Sequence, residues 1–336
     1  MAGPNDNHDI IDIREDGQLP PLGPAIREGL NTHGPNGYRS LPSLLLWDEQ
    51  GLKYFEDITY NPSYYLTNTE IALLEAHSHA IAQSIQPGAI LLELGSGCLR
   101  KIKILLTAID ALGKDVDYYA LDLDHNELAR TLHDLGPTAF QHIRCHGLLG
   151  TYDDGRAWLS RPENRTRPKC VLSLGSTIGS FTRSEAADFC RQWSTTLRQN
   201  NQVGDDHSVT EAQIIIGLDA CKKHDRVFGA YNDPQGANKR FLLNVLDHAN
   251  RQLGIQAFHT ANWTVRGEWD AVAGRHNQYL VPLEDTTFED VRLKRGEKVF
   301  VVHSHKYDEV EKGRLWEDAE MTEVRRFMND DETYGE

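Results

Sequence analysis

The sequence predicts an α/β protein that combines a doubly wound, mostly parallel sheet with a second, α+β unit. Apolar runs of strand length alternate with helical patterns, at 90–94, 116–122, 139–145, 170–174 and 213–219. Such alternation is typical of a parallel sheet with helices on both faces. After Asp219 one long amphipathic pattern, 233–254, precedes two strands of antiparallel type. With 336 residues the chain can hold two cores, since single cores stop growing near about 250 residues.

Local patterns also suggest where the sheet domain begins and which segments are loosely held. Thr67, with Glu70 three residues later, matches a capping box, so a helix that opens the sheet domain is predicted to begin there. The polar residues 1–9 are expected to be mobile. The acidic tail "NDDETYGE" (329–336) is expected to fray.

Composition and charge exclude several classes of partner. The chain carries 35 basic and 50 acidic residues, a net charge of −15. No basic run is longer than "RLKRGEK" (292–298), which fits a polar hairpin turn, so a nucleic-acid partner is not expected. No stretch approaches the roughly 20 apolar residues of a membrane span, and the N-terminus lacks a signal-peptide core. We therefore expect a cytoplasmic protein with no membrane partner.

Cysteine and histidine usage gives no sign of a metal. The five cysteines are scattered, odd in number and without a C-x-x-C pair. This usage fits a reducing compartment and favours neither a disulfide framework nor a zinc site. The histidines of "HSHA" (77–80) and "HSH" (303–305) have no third ligand at metal spacing, so they are expected to be solvated or core side chains.

The stretch "LLELGSGCLRK" (91–101) has the pattern of a strand, a tight turn and a helix. Apolar residues lead to Gly95-Ser96-Gly97, and the helical run that follows ends at Gly113, which suits a left-handed helix cap. In doubly wound sheets, ligands bind beyond the carboxyl ends of the strands, where glycines let the backbone approach them. The turn is therefore a candidate cofactor site, with a bare strand-to-helix turn as the alternative.

The residues around this turn favour S-adenosylmethionine over a dinucleotide. A dinucleotide site needs a third small residue where Arg100 stands, and Glu93 would repel a pyrophosphate but suits a cation. The next strand ends in Asp122 and Asp124, where an acid hydrogen-bonds a ribose diol. S-adenosylmethionine has a sulfonium, an ammonium and a diol but no phosphate; a nucleotide site is the alternative. The predicted cofactor contacts are Glu93, Gly95, Gly97 and Asp122.

Eight blocks, in order along nearly the whole chain, resemble one enzyme family. The blocks are "SLPSLLLWDEQGLKYFEDIT", "YYLTNTEI", "ELGSGCLRKIKILL", "YYALDLD", "HGLLGTYDDG", "LGSTIGSF", "AYNDPQGANKRFLLNVLDHAN" and "SHKYD". On these blocks the chain is similar to the S-adenosylmethionine-dependent amino acid Nα-methyltransferases. That family is typified by the histidine enzyme of ergothioneine biosynthesis, and its fungal branch includes the dimethylallyltryptophan N-methyltransferases of ergot alkaloid pathways.

The resemblance implies a fold, a domain layout and a set of site residues. The family combines a Rossmann-like, class I methyltransferase domain with an α+β substrate-binding domain. On this chain the first would cover 66–220 plus 306–336, and the second 10–65 plus 221–305. The implied contacts are Gly95, Lys101 and Asp122 around the cofactor, Thr151 and Tyr152 near its adenine, and Tyr64 and Tyr231 on the substrate carboxylate. Without the resemblance, Lys101 would suggest a solvated helix residue and Tyr64 a core aromatic.

Two departures from the family pattern concern the substrate amine. The family pattern is T-I-G-N-F, whose Asn holds the amine, but this chain has "TIGSF", which places Ser180 there. Where the family usually has Tyr before Asp-Glu in the first block, this chain has Trp47. Ser180 is expected to accept a hydrogen bond from the amine, and the face of Trp47 to hold a partly methylated ammonium.

A third departure concerns the substrate side chain. The histidine enzymes carry a Glu two residues before the Ser of "E-x-S-x-K-[FY]", and it grips the imidazole; here "VHSHKY" has Val302 there and keeps Ser304. Losing a charge-assisted hydrogen bond of about 1.5–3 kcal/mol predicts that histidine is a poor substrate. At two further pocket positions, Asn238 and Gln278 are expected to meet a carbonyl, amide, phenol or indole N–H.

These features predict an S-adenosylmethionine-dependent N-methyltransferase of secondary metabolism. Its substrate would be the α-amino group of an aromatic amino acid or derivative, with tryptophan-like side chains favoured over histidine, and S-adenosylhomocysteine would be the second product. Methyl transfer needs a deprotonated amine about 3–3.5 Å from the methyl carbon and no strong base, since a free amine has a pKa near about 8. Two alternatives remain: a different S-adenosylmethionine chemistry, with another nucleophile or an intramolecular alkylation, and a catalytically silent paralogue. A monomer or weak dimer is expected.

Overall fold

Helices and strands alternate along the part of the chain that the computed structural model describes, residues 10–15, 21–95, 99–136, 138–200, 211–329, 331 and 333–335. The helices are α1 (Gly23–Asn31), α2 (Glu49–Tyr60), α3 (Tyr65–Ser84), α4 (Leu99–Ala111), α5 (His125–Leu135), α6 (Tyr152–Leu159), α7 (Pro162–Arg165), α8 (Arg183–Asn200), α9 (His224–Tyr231), α10 (Ala237–Leu253) and α11 (Glu309–Asp318). The strands are β1 (Ile10–Asp12), β2 (Arg39–Ser40), β3 (Ile90–Leu94), β4 (Val116–Asp122), β5 (Ile143–Leu149), β6 (Lys169–Ser173), β7 (Ala212–Ile216), β8 (Leu218–Asp219), β9 (Trp263–Asp270), β10 (Arg275–Pro282), β11 (Thr286–Phe288), β12 (Val291–Leu293), β13 (Val299–His305) and β14 (Tyr334–Gly335). Within these ranges no helix is long and apolar enough to cross a membrane.

The chain divides into two compact units. Unit 1 comprises Met1–Gln18, Leu66–Ala220 and Tyr307–Glu336, and unit 2 comprises Leu19–Tyr65 and Cys221–Lys306. The prediction that the second domain begins at residue 10 is wrong for Ile10–Asp12, because β1 pairs in parallel with β5 of unit 1. A glycine leaves room for this pairing, since a Cβ on Gly147 would make a tight contact, 3.1 Å, with the Ile10 side chain.

A parallel sheet forms the centre of unit 1. Its strand order among the described residues is β1-β5-β4-β3-β6-β7, and every neighbouring pair is parallel. All residues of β3 and β6 are buried, as expected for strands covered by helices on both faces. From β3 the chain adds strands β4 and β5 on one side and then β6 and β7 on the other side. The gap between β3 and β6 is therefore the topological switch point, where doubly wound sheets bind ligands. The predicted α/β class is confirmed.

Two of the predicted strands are misplaced. The run predicted at 139–145 lies at Ile143–Leu149, because the N–H groups of Gln141 and His142 donate to the Asp110 carboxylate (2.9 and 2.7 Å) and hold these residues in a turn. The run predicted at 213–219 is divided at Gly217 into β7 and β8. Fully buried strands show no alternation, so their ends are not marked by the hydrophobic pattern.

A buried carboxylate joins four segments of unit 1. Glu70 is fully buried and accepts hydrogen bonds from the Lys101 ammonium (2.5 Å), the Gly175 N–H (2.6 Å) and the Tyr334 hydroxyl (2.6 Å). Gly217 lies beside it, and a Cβ there would come within 2.5 Å of the carboxylate. The predicted capping box is therefore wrong, because α3 begins at Tyr65 and Glu70 serves these partners instead.

The C-terminal tail is part of the fold of unit 1. Tyr334 is fully buried, and β14 pairs antiparallel with β8. The expectation that 329–336 frays is wrong for the described residues of this segment, because β14 completes a ladder and supplies a buried hydrogen bond. The expectation of mobility for 1–9 falls outside the described residues.

Unit 2 is an α+β unit built on a sheet of order β2-β13-β10-β9. As predicted, β10 and β13 are antiparallel neighbours. The long helix α10 begins at Ala237 rather than at 233, because the Asp233 carboxylate accepts the main-chain N–H groups of Ala237 and Asn238 (2.8 and 2.9 Å). His303 and His305 are buried, with ring centroids 4.6 Å apart, so they are core side chains.

We predict that Glu70→Ala lowers the free energy of unfolding by about 3 kcal/mol, because the buried Lys101 ammonium loses its carboxylate. Urea denaturation at pH 7 measures the change. Glu75→Ala, an exposed carboxylate on the same helix, is the matched control and should change stability by less than about 0.5 kcal/mol. Equal small effects of the two variants would contradict the prediction.

Candidate active site

The carboxyl edge of the unit 1 sheet brings the predicted cofactor residues together at the switch point. Glu93 lies near the end of β3, Gly95 follows that strand, and Asp122 ends β4. The Gly95 N–H donates to the Leu121 carbonyl (2.9 Å), so the two strand ends lie side by side. Gly95 has a φ of +81°, a left-handed conformation that favours glycine. Gly97 lies outside the described residues.

Glu93 is a buried carboxyl group whose protonation is balanced near neutrality. It accepts a hydrogen bond from the Tyr118 hydroxyl. Burial raises the pKa of Glu93 to about 7, against the opposing effects of the Tyr118 hydrogen bond and the Lys101 charge. A cationic ligand at this position would favour the ionised carboxylate and is therefore compatible with the site.

The two acids after β4 have different tasks. The Asp122 carboxylate accepts the main-chain N–H groups of Leu123 (2.7 Å) and Asp124 (3.2 Å), which fixes its orientation at the strand end. The Asp124 carboxylate instead caps α5, accepting the N–H of Glu127 at 2.8 Å. Asp122 is thus the acid held at the sheet edge, as the sequence predicts.

Thr151 and Tyr152 follow β5 at the same edge. Thr151 caps α6 in a capping box with Asp154, so its hydroxyl already has an acceptor (2.7 Å). The Tyr152 hydroxyl lies 3.8 Å from the position that a Cβ on Gly95 would take. Burial raises the pKa of Tyr152 to about 12, so its phenol remains a hydrogen-bond donor at neutral pH. The geometry brings Tyr152 to the glycine turn.

Lys101 lies on α4 and reaches the turn after β6. Its ammonium binds Glu70, and a Cβ on Gly175 would come within 3.0 Å of Nζ. Gly175 (φ +77°) and Ser176 (φ +53°) both have left-handed backbone conformations. Sequence reasoning missed Glu70 and this turn; the glycine in "LGST" directly after a strand was the available signal.

Ser180 ends a single 3-10 turn, Thr177–Ser180, that follows β6. Its side chain is exposed, and its hydroxyl donates to the Thr177 carbonyl at 2.7 Å. Because a serine hydroxyl has one hydrogen, the oxygen is left to act as an acceptor. This is the role that the sequence predicts for Ser180 toward an amine.

Unit 2 contains an aromatic cluster, defined here as Trp47, Phe55, Tyr64, Tyr231 and Phe241. Trp47 makes edge contacts with Phe55 (5.2 Å between centroids) and Phe241 (5.4 Å) and is 39% exposed. Tyr64 lies edge-on to Phe55 (6.2 Å) and to Tyr231 (5.9 Å). The cluster brings the predicted amine residue Trp47 into one network with the two predicted carboxylate residues.

The predicted specificity residues meet beside this cluster. The Asn238 amide donates to the Tyr231 carbonyl (2.6 Å) and to the Gln278 side-chain oxygen (3.0 Å). Gln278 is paired with Val302 across β10 and β13, next to an irregularity in the register. The structure therefore brings Asn238, Gln278 and Val302 together, although they are distant in sequence.

Ser304 contacts Tyr231 directly, and two residues that sequence reasoning missed, Lys306 and His276, pack against this tyrosine. The Tyr231 hydroxyl donates to Ser304 Oγ (2.8 Å), and Lys306 Nζ donates to both oxygens. His276 stacks on the Tyr231 ring (4.7 Å), and burial, aided by the Lys306 charge, lowers the pKa of His276 to about 3. The sequence offered one signal for Lys306, because this lysine directly follows a strand in which every second residue is buried.

A family profile described as "Histidine-specific methyltransferase, SAM-dependent" matches residues 22–336. The chain belongs to this family. Ergothioneine biosynthesis protein 1 of Neurospora crassa is 43% identical over 337 residues, which cover 98% of this chain and 36% of that protein. This chain thus spans little more than a third of the length of the Neurospora protein.

Two relatives of this methyltransferase match over most of their own length. N-methyltransferase fsqC of Aspergillus fumigatus is 34% identical over 321 residues, 94% of this chain and 82% of that protein. 4-Dimethylallyltryptophan N-methyltransferase easF of Claviceps purpurea is 32% identical over 339 residues, 96% of this chain and 95% of that protein. The comparisons confirm the predicted family and the assignment as an S-adenosylmethionine-dependent methyltransferase. The parallel sheet of unit 1 confirms the Rossmann-like α/β fold.

We predict that Glu93 makes the stability of the methyltransferase depend on pH. Burial raises the pKa of Glu93 to about 7 in the folded chain, whereas the ordinary pKa of a glutamate side chain is 4.5. Folding therefore favours the protonated form, whose contribution is complete below the ordinary pKa and is lost as pH rises through the folded pKa. The loss amounts to about 3 kcal/mol.

Glu93→Gln should remove this loss, because an amide does not ionise. Urea midpoints of wild type and variant at pH 5 and pH 8 measure it, and the difference between the two pH values should shrink in the variant. Glu75→Gln on the exposed face of α3 should keep the wild-type difference. A Glu93→Gln variant with the wild-type pH dependence would show that Glu93 does not titrate in this range.

Proposed function

We propose that this methyltransferase acts on the α-amino group of an aromatic amino acid or derivative, with a tryptophan-like side chain preferred over histidine. One observation carries the proposal. Val302, which is paired with Gln278 on the neighbouring strand, stands where the histidine enzymes of the family are expected to have a carboxylate. An imidazole N–H would meet a methyl group there and lose its hydrogen bond. The likeness to a 4-dimethylallyltryptophan N-methyltransferase over 96% of the chain supports this choice of substrate.

The residues at the unit 1 edge fit S-adenosylmethionine. We propose that the Glu93 carboxyl group meets its cationic methionine portion, that Asp122 accepts the ribose hydroxyls, and that Tyr152 lies near the adenine with Thr151. Lys101, held between Glu70 and the Gly175 turn, would complete the site. When bound, the cofactor supplies an electrophilic methyl group and leaves as S-adenosylhomocysteine.

In the proposed reaction, this chain's own residues bind and orient the amino acid. The Tyr64 hydroxyl would hold its carboxylate, together with the one hydrogen that the contact between Tyr231 and Ser304 leaves available to donate. The acceptor oxygen of Ser180 would take a hydrogen bond from an amine. A strong base is not needed, because a free α-amine has a pKa near about 8 and is partly neutral at cellular pH. Positioning of the amine within about 3–3.5 Å of the methyl carbon supplies most of the rate.

We predict that a mass-spectrometric turnover assay will detect methylation of tryptophan-type substrates and little of histidine. The panel is histidine, tryptophan, 4-prenyltryptophan, tyrosine and their N-methyl forms with S-adenosylmethionine. Val302→Glu should shift the ratio of kcat/KM toward histidine by about 10–100-fold, because it restores a charge-assisted hydrogen bond. Val302→Gln has the same shape without the charge and is the matched control.

Two results would overturn the proposal. One is histidine methylated by the wild type as well as tryptophan. The other is no methylation of any amino acid despite calorimetric binding of S-adenosylmethionine, which would favour another nucleophile or a silent paralogue.

We predict that Trp47→Tyr lowers the preference for N-methylated over primary amines by about 2–5-fold, because the indole face attracts a substituted ammonium more strongly than a phenol does. Competition assays with tryptophan and N-methyltryptophan measure the ratio. Trp316→Tyr, half-buried in unit 1, is the control and should leave it unchanged. An unchanged ratio in Trp47→Tyr would remove the support for a cation–π contact.

A further inference from the structure

Lys306 is a buried charge in contact with two hydroxyl groups of unit 2. The side chain is fully buried directly after β13. Its Nζ lies 3.1 Å from the Tyr231 hydroxyl and 3.0 Å from Ser304 Oγ, and these two oxygens are 2.8 Å apart. The three polar atoms form a closed triangle, and Tyr231 and Ser304 are called the hydroxyl pair below.

The triangle leaves one hydroxyl hydrogen to point outward. An ammonium has only hydrogens to donate, so Lys306 occupies acceptor positions on both oxygens of the hydroxyl pair. The contact between Tyr231 and Ser304 uses one of their two hydrogens. The other hydrogen therefore requires an acceptor outside the triangle. Ser304 is only half-buried.

The charge of Lys306 decides what kind of acceptor suits this hydrogen. The ammonium also lies 5.1 Å from the centroid of the Tyr231 ring, so its potential acts on the whole side chain. Removed from water, such a potential is weakly screened and favours an anionic oxygen. His276 adds no competing charge, since its lowered pKa, about 3, keeps the ring neutral where it stacks on Tyr231.

We propose that Lys306 is a positioning residue that orients the hydroxyl pair toward a substrate carboxylate and makes the enzyme select free α-amino acids over the matching amines and esters. It acts through Tyr231 and Ser304. The inference rests on the proposed function, because it assigns the carboxylate of the amino acid substrate to this site.

The test compares an amino acid with its uncharged relatives, tryptophan against tryptamine and tryptophan methyl ester. Lys306→Met keeps an unbranched side chain, one atom shorter, and removes the charge. It should raise KM for tryptophan about 10–100-fold with a smaller change in kcat, and it should lower the preference for tryptophan over tryptamine by a similar factor. Lys169→Met, a buried lysine of unit 1 that binds main-chain carbonyls, is the matched control and should keep the wild-type preference.

A double-mutant cycle separates positioning from a structural role. If Lys306 acts through the hydroxyl pair, Lys306→Met should have a much smaller effect on KM in a Tyr231→Phe, Ser304→Ala background. Additive effects would overturn the inference, as would a lost preference accompanied by weaker S-adenosylmethionine binding. Thermal midpoints and calorimetric binding of S-adenosylmethionine show which variants are folded.

Binding measurements keep the inference testable if the proposed function fails. Calorimetric titration of tryptophan and tryptamine into wild type and Lys306→Met needs no turnover. Preferential binding of tryptophan that is lost in the variant would support the role of Lys306 even for a catalytically silent protein. Equal preference in both proteins would overturn it, whatever the turnover assay gives.

Discussion

The fold of unit 1 depends on the Glu70 carboxylate. It is fully buried, and its partners lie on α4, in the turn after β6 and on β14. A buried carboxylate is tolerated only when cations and N–H or O–H donors replace its water. Each of these segments is therefore fixed relative to the sheet edge by one group. Gly217 leaves room for the carboxylate, and Gly175 leaves room for the Lys101 ammonium that binds it.

Unit 2 uses a buried charge of the opposite sign. The Lys306 ammonium contacts two hydroxyl groups, and the aromatic cluster and the Asn238–Gln278 pair lie around the same tyrosine. A network of this kind fixes a single arrangement of side chains, because any shift leaves a buried donor or acceptor without a partner. In each unit, one buried charge thus organises the residues to which we assign ligand binding.

The residues that end strands were the easiest to predict. Glu93, Gly95 and Asp122 lie together because parallel strands end at one edge, and hydrophobic periodicity marks the strands themselves. Glu70 and Lys306 were harder, since Lys101 lies 31 residues from Glu70 and Tyr231 lies 75 residues from Lys306, and nothing local indicates these two contacts. Glu70 even matched a helix-start pattern, and the tertiary contacts outweighed it. The resemblance to a family supplied Tyr64, Tyr231 and Val302, which periodicity alone would have assigned to the core.

The pairing of β14 with β8 has a consequence for the order of folding. Unit 1 is assembled from three segments that alternate along the chain with the two segments of unit 2, and its buried carboxylate also needs the Tyr334 hydroxyl. During synthesis the central sheet can collapse early, but the ladder with β8 closes only after residue 334 has left the ribosome. Contacts of such long sequence separation form slowly. Unit 2 contains no residue beyond 306, so its own core can be complete before β14 joins unit 1.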